Sequence, residues 1–344
     1  MKVNFCTTEK IRLDDFLRKT LPEFIKKSVL SKNDSLENVQ NVSNSKIRRL
    51  ILCGAVSVNN SVIRRPAFEL RGYSNVEVNY EKEKFFFEKQ PNDIKYEVSE
   101  KDVLFEDEYL ICINKPAFFP TEETIVGSEK RDCLHSAVIR WLWKKNPELK
   151  NPPYVGIMHR LDRETSGAIL FTKQRSVNKD IQNMFLNHEI KKEYLALCAK
   201  NPDFNSLNKN DLKKLSASDN FTVEMFMGRT SAKSQKAKWG FVKKSSGGVY
   251  SKTEFTVLKK IKINNPYQLE CFLLKASLFT GRTHQIRVHL SSKGFPILGD
   301  ELYGGVSAKR IMLHSKQLKF LHPVTKQEII VQAPEPKEFK EVLL

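Results

Sequence analysis

The first part of the chain has the hydrophobic spacing of two helices. Between residues 11 and 30, apolar residues recur every three or four positions with lysines and arginines between them, which predicts an amphipathic helix. The stretch 31–45 is rich in serine and asparagine and predicts a loop. A second helical segment has apolar residues at 47 and 50–52, and Gly54 is expected to end it.

Short strands are predicted after the second helix. Residues 55–60 form a brief β pattern that ends in a tight turn at two asparagines, and residues 61–66 and 76–78 continue the pattern. Residues 81–100 are charged and irregular and predict a linker. The order of helix, helix, hairpin and linker indicates a small domain at the start of the chain.

The rest of the chain mixes strands with a few helices. Residues 103–115 predict two strands joined by an acidic turn and stopped by a proline. Helical spacing returns at 135–144 and at 176–188, whereas strands dominate from about Lys191 onward and helical signals there are few. Many short strands with interspersed helices indicate an α+β domain built on a mixed, largely antiparallel sheet.

Size and charge add a second domain and an anionic partner. A chain of 344 residues is longer than one average domain. Its formal net charge is +18 and its isoelectric point is near 9.5. Such an excess of cations implies binding to a polyanion, and nucleic acid is favoured over a membrane surface because no basic amphipathic membrane helix is evident.

The cysteines indicate a reducing compartment. All six are scattered, without a CxxC pair, and several lie in apolar runs, so we expect reduced thiols in the core of a cytoplasmic protein. The first residues lack the apolar core of a signal peptide. No run of about 18 uncharged apolar residues occurs, so no membrane span is expected.

The candidate chemistry is concentrated in the nine residues His159–Gly167, HRLDRETSG, which precede an apolar run. Asp162 is flanked by Arg160 and Arg163, whose charges should keep the carboxylate ionised. A charged group beside a buried strand is typical of an active site. Taken alone, the group of Arg160, Asp162 and Arg163 also fits a surface ion-pair cluster.

The nine-residue string resembles the catalytic motif of the RluA-like pseudouridine synthase family, almost letter for letter. One block could arise by chance, but ordered blocks at family spacing are specific. Further segments resemble family blocks in the same order: 103–116 (VLFEDEYLICINKP), 191–197 (KKEYLAL), 278–290 (LFTGRTHQIRVHL), 296–304 (PILGDELYG) and 312–315 (MLHS).

The resemblance implies a role for four residues. Asp162 would be the catalytic carboxylate, which attacks the sugar C1′ or assists departure of the uracil. Arg287 matches the basic partner of that carboxylate, and Tyr194 matches the tyrosine that stacks on the target base and can accept the C5 proton. Arg160 matches the arginine that fills the stack when the base is flipped out. A core tyrosine and a structural ion pair are the alternatives for Tyr194 and Arg160.

The start of the chain resembles an S4-like RNA-binding domain, through the segments IRLDDFL, IRRLILCGAVSVNN and LRGYSNVEV. This implies an S4-like domain at residues 10–80, a linker at 81–100 and a pseudouridine synthase catalytic domain at 101–340. The predicted second helix is basic, and cations that neutralise phosphates release counterions. The residues expected to contact RNA phosphates there are Lys46, Arg48 and Arg49.

The implied activity is the isomerisation of uridine to pseudouridine, which rearranges atoms of the substrate and needs no cofactor and no metal. Because of the S4-like domain, large-subunit ribosomal RNA is the expected substrate, with transfer RNA second, and a monomer is expected. Two segments depart from the family pattern, at 116–121 and at 201–220. Both are expected near the substrate, so they bear on the choice of target.

Three other interpretations stay open at this stage. A non-catalytic RNA-binding factor in ribosome assembly would not need Asp162. A glycosidase would use Asp162 and Glu164 as paired carboxylates, but the arginines would leave neither as a general acid. A metal site at His284, His289 and His314 lacks an acidic ligand nearby, and structural histidines are favoured.

Overall fold

The structure is a computed structural model, and the chain forms two compact units. Unit 1 comprises Met1–Asn92 with the segments Ile125–Lys130 and Arg229–Lys238, and unit 2 comprises the remainder. The structure describes residues 2–30, 44–52, 54–79, 94–126, 129–199, 218–231, 237–263 and 269–343.

The described residues between 1 and 92 in unit 1 form two helices and six short strands. The strands β1, β6, β3 and β4 form a sheet in that order, and β2 pairs with β5. The elements are β1 (Lys2–Cys6), β2 (Ile11–Arg12), α1 (Leu13–Leu30), α2 (Asn44–Leu52), β3 (Val56–Val58), β4 (Ser61–Val62), β5 (Glu69–Leu70) and β6 (Asn75–Asn79). Both predicted helices and the predicted hairpin are confirmed.

The local sequence explains these elements. Leu13, Leu17 and Leu21 repeat every four residues and are fully buried in α1, which is the spacing of one helical face. Asn59 and Asn60, between β3 and β4, have φ angles of 47° and 67°. Asparagine tolerates this left-handed region, and positive φ at both central residues is what a type I′ hairpin turn requires.

Unit 2 is built on a large sheet with helices packed against it. Its strands are β7 (Val103–Glu106), β8 (Leu110–Lys115), β11 (Gly156–Ile157), β12 (Ser166–Thr172), β13 (Lys191–Ala199), β14 (Asn220–Arg229), β15 (Trp239–Phe241), β16 (Val249–Ile263), β17 (Leu269–Leu278), β18 (Leu313–Leu321) and β19 (Glu328–Gln332). Its helices are α3 (Leu134–Lys145), α4 (Asn178–Leu186), α5 (Gln285–Ser292) and α6 (Lys337–Leu343). A separate two-stranded sheet comprises β9 (Thr124–Val126) and β10 (Glu129–Arg131), and most of its residues belong to unit 1.

The large sheet has eleven strands and a mixed topology. Its main path is β15-β14-β16-β17-β13-β18-β12-β8-β7, with β11 beside β12 and β19 beside β18. Strand β12 runs parallel to β18, whereas β8–β12, β13–β18, β13–β17 and β16–β17 are antiparallel. All seven residues of β12 are buried, as expected of a central strand. The predicted α+β class with a mixed, largely antiparallel sheet is confirmed.

Strands dominate the chain from Lys191 onward, as expected. The sequence predicts no helix at residues 285–292, yet these residues form α5. Seven of its eight residues are buried, so the segment lacks the polar face that gives a helix its sequence period. The helices predicted at 135–144 and 176–188 are confirmed as α3 and α4, the latter after a short 3-10 turn.

Some of the predicted segments consist of residues that the structure does not describe. Most of the predicted loop 31–45, the greater part of the linker 81–100 and nearly all of the insert 201–220 lie outside the described residues. Within the described ranges, none of the helices combines the length and the apolar character needed to span a bilayer.

Candidate active site

Asp162 lies in the loop between β11 and β12, and a buried lysine supports this loop. Lys115, at the end of β8, is fully buried, and its Nζ donates to the carbonyl oxygens of Pro116 (2.8 Å), Phe119 (2.7 Å) and Arg163 (3.0 Å). Burial lowers the pKa of Lys115 to about 7, against the opposing charges of nearby carboxylates. Three carbonyls match the three N–H donors of an ammonium, so Lys115 fixes the backbone directly after Asp162.

The loop ends where β12 meets β18. Gly167 has a φ of 112°, and a Cβ there would collide with the backbone of Ser315 on β18. Glycine permits both the conformation and the close approach. The neighbouring Ser166 hydroxyl bonds to His314 Nδ1 at 2.8 Å. The TSG part of the motif therefore sets how closely the two strands pack beneath Asp162.

Arg287, on α5, joins two carboxylates. Its Nη1 donates to Asp162 Oδ2 at 3.0 Å. Its Nε and Nη2 donate to Asp300 Oδ2 at 2.7 Å and to Oδ1 at 2.9 Å. Arg287 and Asp300 are 5% and 1% exposed, whereas Asp162 is 26% exposed. The bidentate bond to Asp300 fixes the guanidinium plane, so one N–H points at the carboxylate that faces solvent.

Burial lowers the pKa of Arg287, but the hydrogen bonds and charges of Asp300 and Asp162 outweigh burial and raise it above its ordinary value. Arg287 is therefore charged at any pH at which the protein is folded. Two carboxylates share this single cation.

The start of α5 is fixed by a buried glutamine. Gln285 Oε1 accepts from Thr280 Oγ1 (2.6 Å) and from the Arg282 backbone N–H (3.0 Å). Its Nε2 donates to the Lys252 carbonyl (3.0 Å) and to Thr253 Oγ1 (2.8 Å) on β16. All four hydrogen-bonding positions of the amide are used, which attaches the helix that carries Arg287 to the sheet.

His284 precedes α5 and approaches Asp162 from a second direction. It adopts the left-handed conformation, with a φ of 58°, and its Nε2 lies 3.7 Å from Asp162 Oδ2. The Tyr303 hydroxyl accepts the Trp239 backbone N–H and lies within hydrogen-bond distance, 2.9 Å, of His284 Nδ1, which holds the ring in place. Burial lowers the pKa of His284 despite the charge of Asp162.

The two oxygens of Asp162 therefore differ. Arg287 and His284 both approach Oδ2. In the part of the chain that the structure describes, no hydrogen-bond donor lies on Oδ1. Asp162 lines a cavity of about 830 Å³, a volume in the range of small-molecule sites.

Tyr194 lies on β13 and lines the same cavity. Burial raises the pKa of the Tyr194 hydroxyl to about 12, with a smaller contribution from the charge of Asp162 and an opposing hydrogen bond from Ser315. The side chain is a neutral phenol at neutral pH. The structure thus brings Asp162, Tyr194 and Arg287 to one cavity.

The two arginines of the motif have different surroundings. Arg160 is 62% exposed, lines the cavity and pairs with Glu122. Arg163 Nη1 instead contacts Glu164 Oε1 at 2.7 Å, and its guanidinium lies over the Phe118 ring at 5.4 Å. The cation held against Asp162 is Arg287, 125 residues away in sequence, and not its immediate neighbour.

The predicted RNA-contacting lysine and arginines lie on α2 in unit 1. Arg48 is exposed, and the side chains of Lys46 and Arg49 lie outside the described residues. The histidines considered for a metal bond to hydroxyl groups, at Tyr303 for His284, Ser251 for His289 and Ser166 for His314. No group of three or more potential metal ligands occurs within the described ranges.

Comparison with known proteins identifies the family. The family model described as RNA pseudouridylate synthase matches residues 109–292, more than half of the chain and all of the cavity wall that carries Asp162, Tyr194 and Arg287. The chain belongs to this family. It is therefore an isomerase that converts uridine in RNA to pseudouridine, as predicted.

Individual relatives extend the match along the chain. An uncharacterized RNA pseudouridine synthase of Mycoplasma pneumoniae is 30% identical, over 100% of this chain and 95% of its own length. The ribosomal large subunit pseudouridine synthase C of Pasteurella multocida is 29% identical, over 90% and 88%. The structure of human RNA pseudouridylate synthase domain containing 4 covers 71% of this chain and 92% of its own, with a TM-score of 0.52 at 20% identity, which shows the shared fold.

Sequence reasoning missed three residues that build the site. Lys115, Gln285 and Asp300 all lie inside family-like blocks, but they were given no role there. Their functions depend on burial and on partners far along the chain, as with Asp300 and Arg287. An acidic residue after a glycine turn and a lysine at the end of an apolar strand were the available signals.

Proposed function

We propose that this pseudouridine synthase isomerises specific uridines in large-subunit ribosomal RNA, with Asp162 as the catalytic carboxylate. The observation that carries the assignment of Asp162 is the asymmetry of its oxygens, one contacted by Arg287 and the other open to the cavity. The RNA species is supported by a relative named as a large-subunit synthase that matches 90% of this chain. Transfer RNA is the second candidate.

The reaction breaks the bond from C1′ to N1 of uridine and forms a bond from C1′ to C5. The proton on C5 leaves and N1 gains a proton, so no atom or electron enters from outside. Asp162 Oδ1 supplies the negative charge at C1′, either by bonding to it or by assisting departure of the uracil. Arg287 keeps Oδ2 fixed and charged while Oδ1 reacts.

Tyr194 would contact the uracil ring as a neutral phenol, because burial raises its pKa to about 12. It lies on a buried strand, so its ring is fixed before the base arrives. Stacking orients the freed uracil so that C5 can turn towards C1′. Removal of the C5 proton follows once that bond has formed.

Arg160 would act when the base leaves the RNA stack. Extrusion of a base costs a few kcal/mol, and a planar guanidinium can occupy the vacated place. Arg160 is exposed at the cavity and pairs with Glu122. Because exposed ion pairs contribute little, the guanidinium can exchange Glu122 for RNA.

Unit 1 would supply additional RNA affinity as an S4-like domain at residues 10–80, followed by a linker at 81–100 and the catalytic domain at 101–340. Its basic helix α2 would contact phosphates through Lys46, Arg48 and Arg49. Replacing all three by glutamine should reduce the slope of log affinity against log salt by about 2, since each contact to single-stranded RNA contributes about 0.7. We further propose that the protein acts as a monomer in the cytoplasm.

The decisive experiment is release of tritium from RNA labelled at uridine C5, with chelator present. Asp162→Asn should abolish release and leave RNA binding nearly unchanged, because phosphate contacts supply most of the affinity. Release by Asp162→Asn near the wild-type rate would overturn the assignment. Mapping of pseudouridine in ribosomal and transfer RNA treated with the protein then identifies the species and the position.

Glu164→Gln is the matched control. Glu164 lies two residues from Asp162 and contacts Arg163, so this variant should keep its activity. A glycosidase with paired carboxylates would leave the C5–H bond intact and would release no tritium, either as wild type or in the two variants. A non-catalytic assembly factor would release no tritium from any RNA, and its RNA binding would be equal in wild type and Asp162→Asn.

A further inference from the structure

A lysine in the wall of the active-site cavity has no acidic partner among the residues that the structure describes. Lys192 lies on β13 and lines the cavity. Its Nζ lies 5.6 Å from the centre of the Phe185 ring, and in the part of the chain that the structure describes no carboxylate pairs with it. Lys192 is half-buried, and taking an unpaired ammonium even partly out of water is costly, so the position calls for an explanation.

The groups around Lys192 are also cationic. Arg282 lines the same cavity, and its Nε donates to the Tyr250 carbonyl at 3.1 Å, which orients the guanidinium. Burial, together with the charge of Arg282, lowers the pKa of Lys192 to about 8. His188 lines the cavity as well, and burial followed by the charges of Lys192 and Arg282 lowers its pKa. His188 is therefore favoured in its neutral form, and the two like charges of Lys192 and Arg282 favour a bound anion.

A glycine leaves space beside Lys192 in the cavity wall. Gly281 lies beside Lys192, and a Cβ at Gly281 would lie 3.2 Å from Lys192 Nζ. A side chain at this position would therefore crowd the ammonium. Lys192 and Tyr194 are two residues apart on one strand, a separation of about 6.6 Å, and both face the cavity. An anion at Lys192 would thus lie beside a base placed on Tyr194.

We propose that Lys192 and Arg282 form a subsite for a phosphodiester group of the RNA strand next to the target uridine. This proposal rests on the proposed function, because it takes the uracil to lie between Asp162 and Tyr194. The ammonium supplies a compact charge and the guanidinium a planar fork that fits two phosphate oxygens. The backbone phosphate would then determine how far the nucleotide enters the cavity.

The test uses the full-length protein and a labelled oligouridylate, with affinity measured by fluorescence anisotropy over a range of salt. Lys192→Met and Arg282→Gln should each raise Kd about tenfold, the effect of one charged hydrogen bond. Each should also reduce the slope of log affinity against log salt by about 0.7, the value for one contact to a single strand. Lys192→Arg should keep most of the slope.

Lys191→Met is the matched control. Lys191 is the neighbour of Lys192 on β13, is exposed and does not line the cavity. Lys191→Met removes the same charge as Lys192→Met, but from a residue outside the cavity. It should therefore change the slope of log affinity against log salt by less than half as much. An equal effect of Lys191→Met, or an unchanged slope in Lys192→Met, would overturn the subsite.

A role of Lys192 in RNA binding and a purely structural role predict opposite changes in the Tm of Lys192→Met. If Lys192 serves RNA, Lys192→Met removes a half-buried, unpaired charge and should raise Tm while binding weakens. A lower Tm with unchanged binding would show that the lysine only stabilises the fold.

Amine acetylation read by mass spectrometry separates the sources of phosphate. The oligouridylate should protect Lys192 and not Lys191, and inorganic phosphate at the same concentration should protect neither. Equal protection by inorganic phosphate would contradict a site for an RNA strand. These measurements report binding and not turnover. If the wild-type protein binds RNA through Lys192 but releases no tritium, the proposed function is refuted and the proposed subsite still stands.

Discussion

Replacing Asp300 or Arg287 tests how the cation is held beside Asp162. Asp300→Asn keeps the shape of the side chain but turns one of its two acceptors into an N–H₂ group that faces a guanidinium donor. Arg287→Met keeps an unbranched side chain and removes the charge. The double variant removes both members of the buried pair, which are 5% and 1% exposed.

The expected losses differ between the variants. Arg287→Met leaves Asp300 buried without a counter-charge and should cost about 3–5 kcal/mol of unfolding free energy. Asp300→Asn breaks charged hydrogen bonds of 2.7 and 2.9 Å, worth about 1.5–3 kcal/mol, but Arg287 keeps Asp162 as a partner. The double variant leaves neither charge stranded, so it should lose about 2–3 kcal/mol less than the two single losses combined.

Activity should separate the variants in a second way. In Asp300→Asn the guanidinium is present but no longer fixed, and a misplacement of about 1 Å can cost a factor of about 100 in rate. In Arg287→Met the counter-charge of Asp162 is absent, so turnover should fall further than in Asp300→Asn. Urea denaturation gives the free energies, and tritium release at saturating RNA gives the rates.

Arg163→Met is the control, because Arg163 adjoins Asp162 in sequence but contacts Glu164 and Phe118. The rate of tritium release should fall less in Arg163→Met than in Asp300→Asn. The reasoning fails if the two single losses of stability add to within about 0.5 kcal/mol in the double variant, or if Arg163→Met is the most damaging change.

Three further predictions concern other parts of unit 2. Lys115→Met should lower the free energy of unfolding by about 3 kcal/mol, because three buried carbonyls lose their donor; urea denaturation checks this. Burial lowers the pKa of His159 and His314 to about 3 and of His289 to about 4. The unfolded chain therefore binds more protons below pH 6.5, and stability should fall from about pH 6.5 towards pH 4 by up to about 1.4 kcal/mol per unit for each histidine, measured by urea denaturation at pH 7 and 5. Arg160→Ala should leave Tm unchanged, since its ion pair is exposed, and should slow tritium release more from structured RNA than from single strands.

The sequence identified the residues that meet at the cavity better than it identified the elements that carry them. Asp162, Tyr194 and Arg287 were named from motifs, and the structure brings them to one cavity. Arg287 was expected among strands, yet it lies on a helix of eight residues. A short helix that is buried on nearly all sides has no polar face, so hydrophobic spacing could not distinguish it from a strand.

The supporting residues were beyond such reasoning for a different reason. Asp300, Gln285 and Lys115 act through bonds to groups 13, 32 and 48 residues away. Each is polar and almost fully buried, and a buried polar residue is recognised only when its partners are known. The sequence shows that such a residue is present, whereas the fold shows which groups satisfy it.

The charges around the cavity suggest how a nucleotide would be oriented. Two carboxylates, Asp162 and Asp300, share one arginine, and burial lowers the pKa of His284 and favours its neutral form. The immediate surroundings of Asp162 Oδ2 therefore hold two carboxylates and one cation, a local arrangement that disfavours a phosphate there and accepts a neutral uracil and an electron-poor C1′. In the proposed subsite, Lys192 and Arg282 would hold the phosphate, and neither has a carboxylate partner among the described residues. A uridine entering between these charges would turn its base and C1′ towards Asp162 and its phosphate away from it.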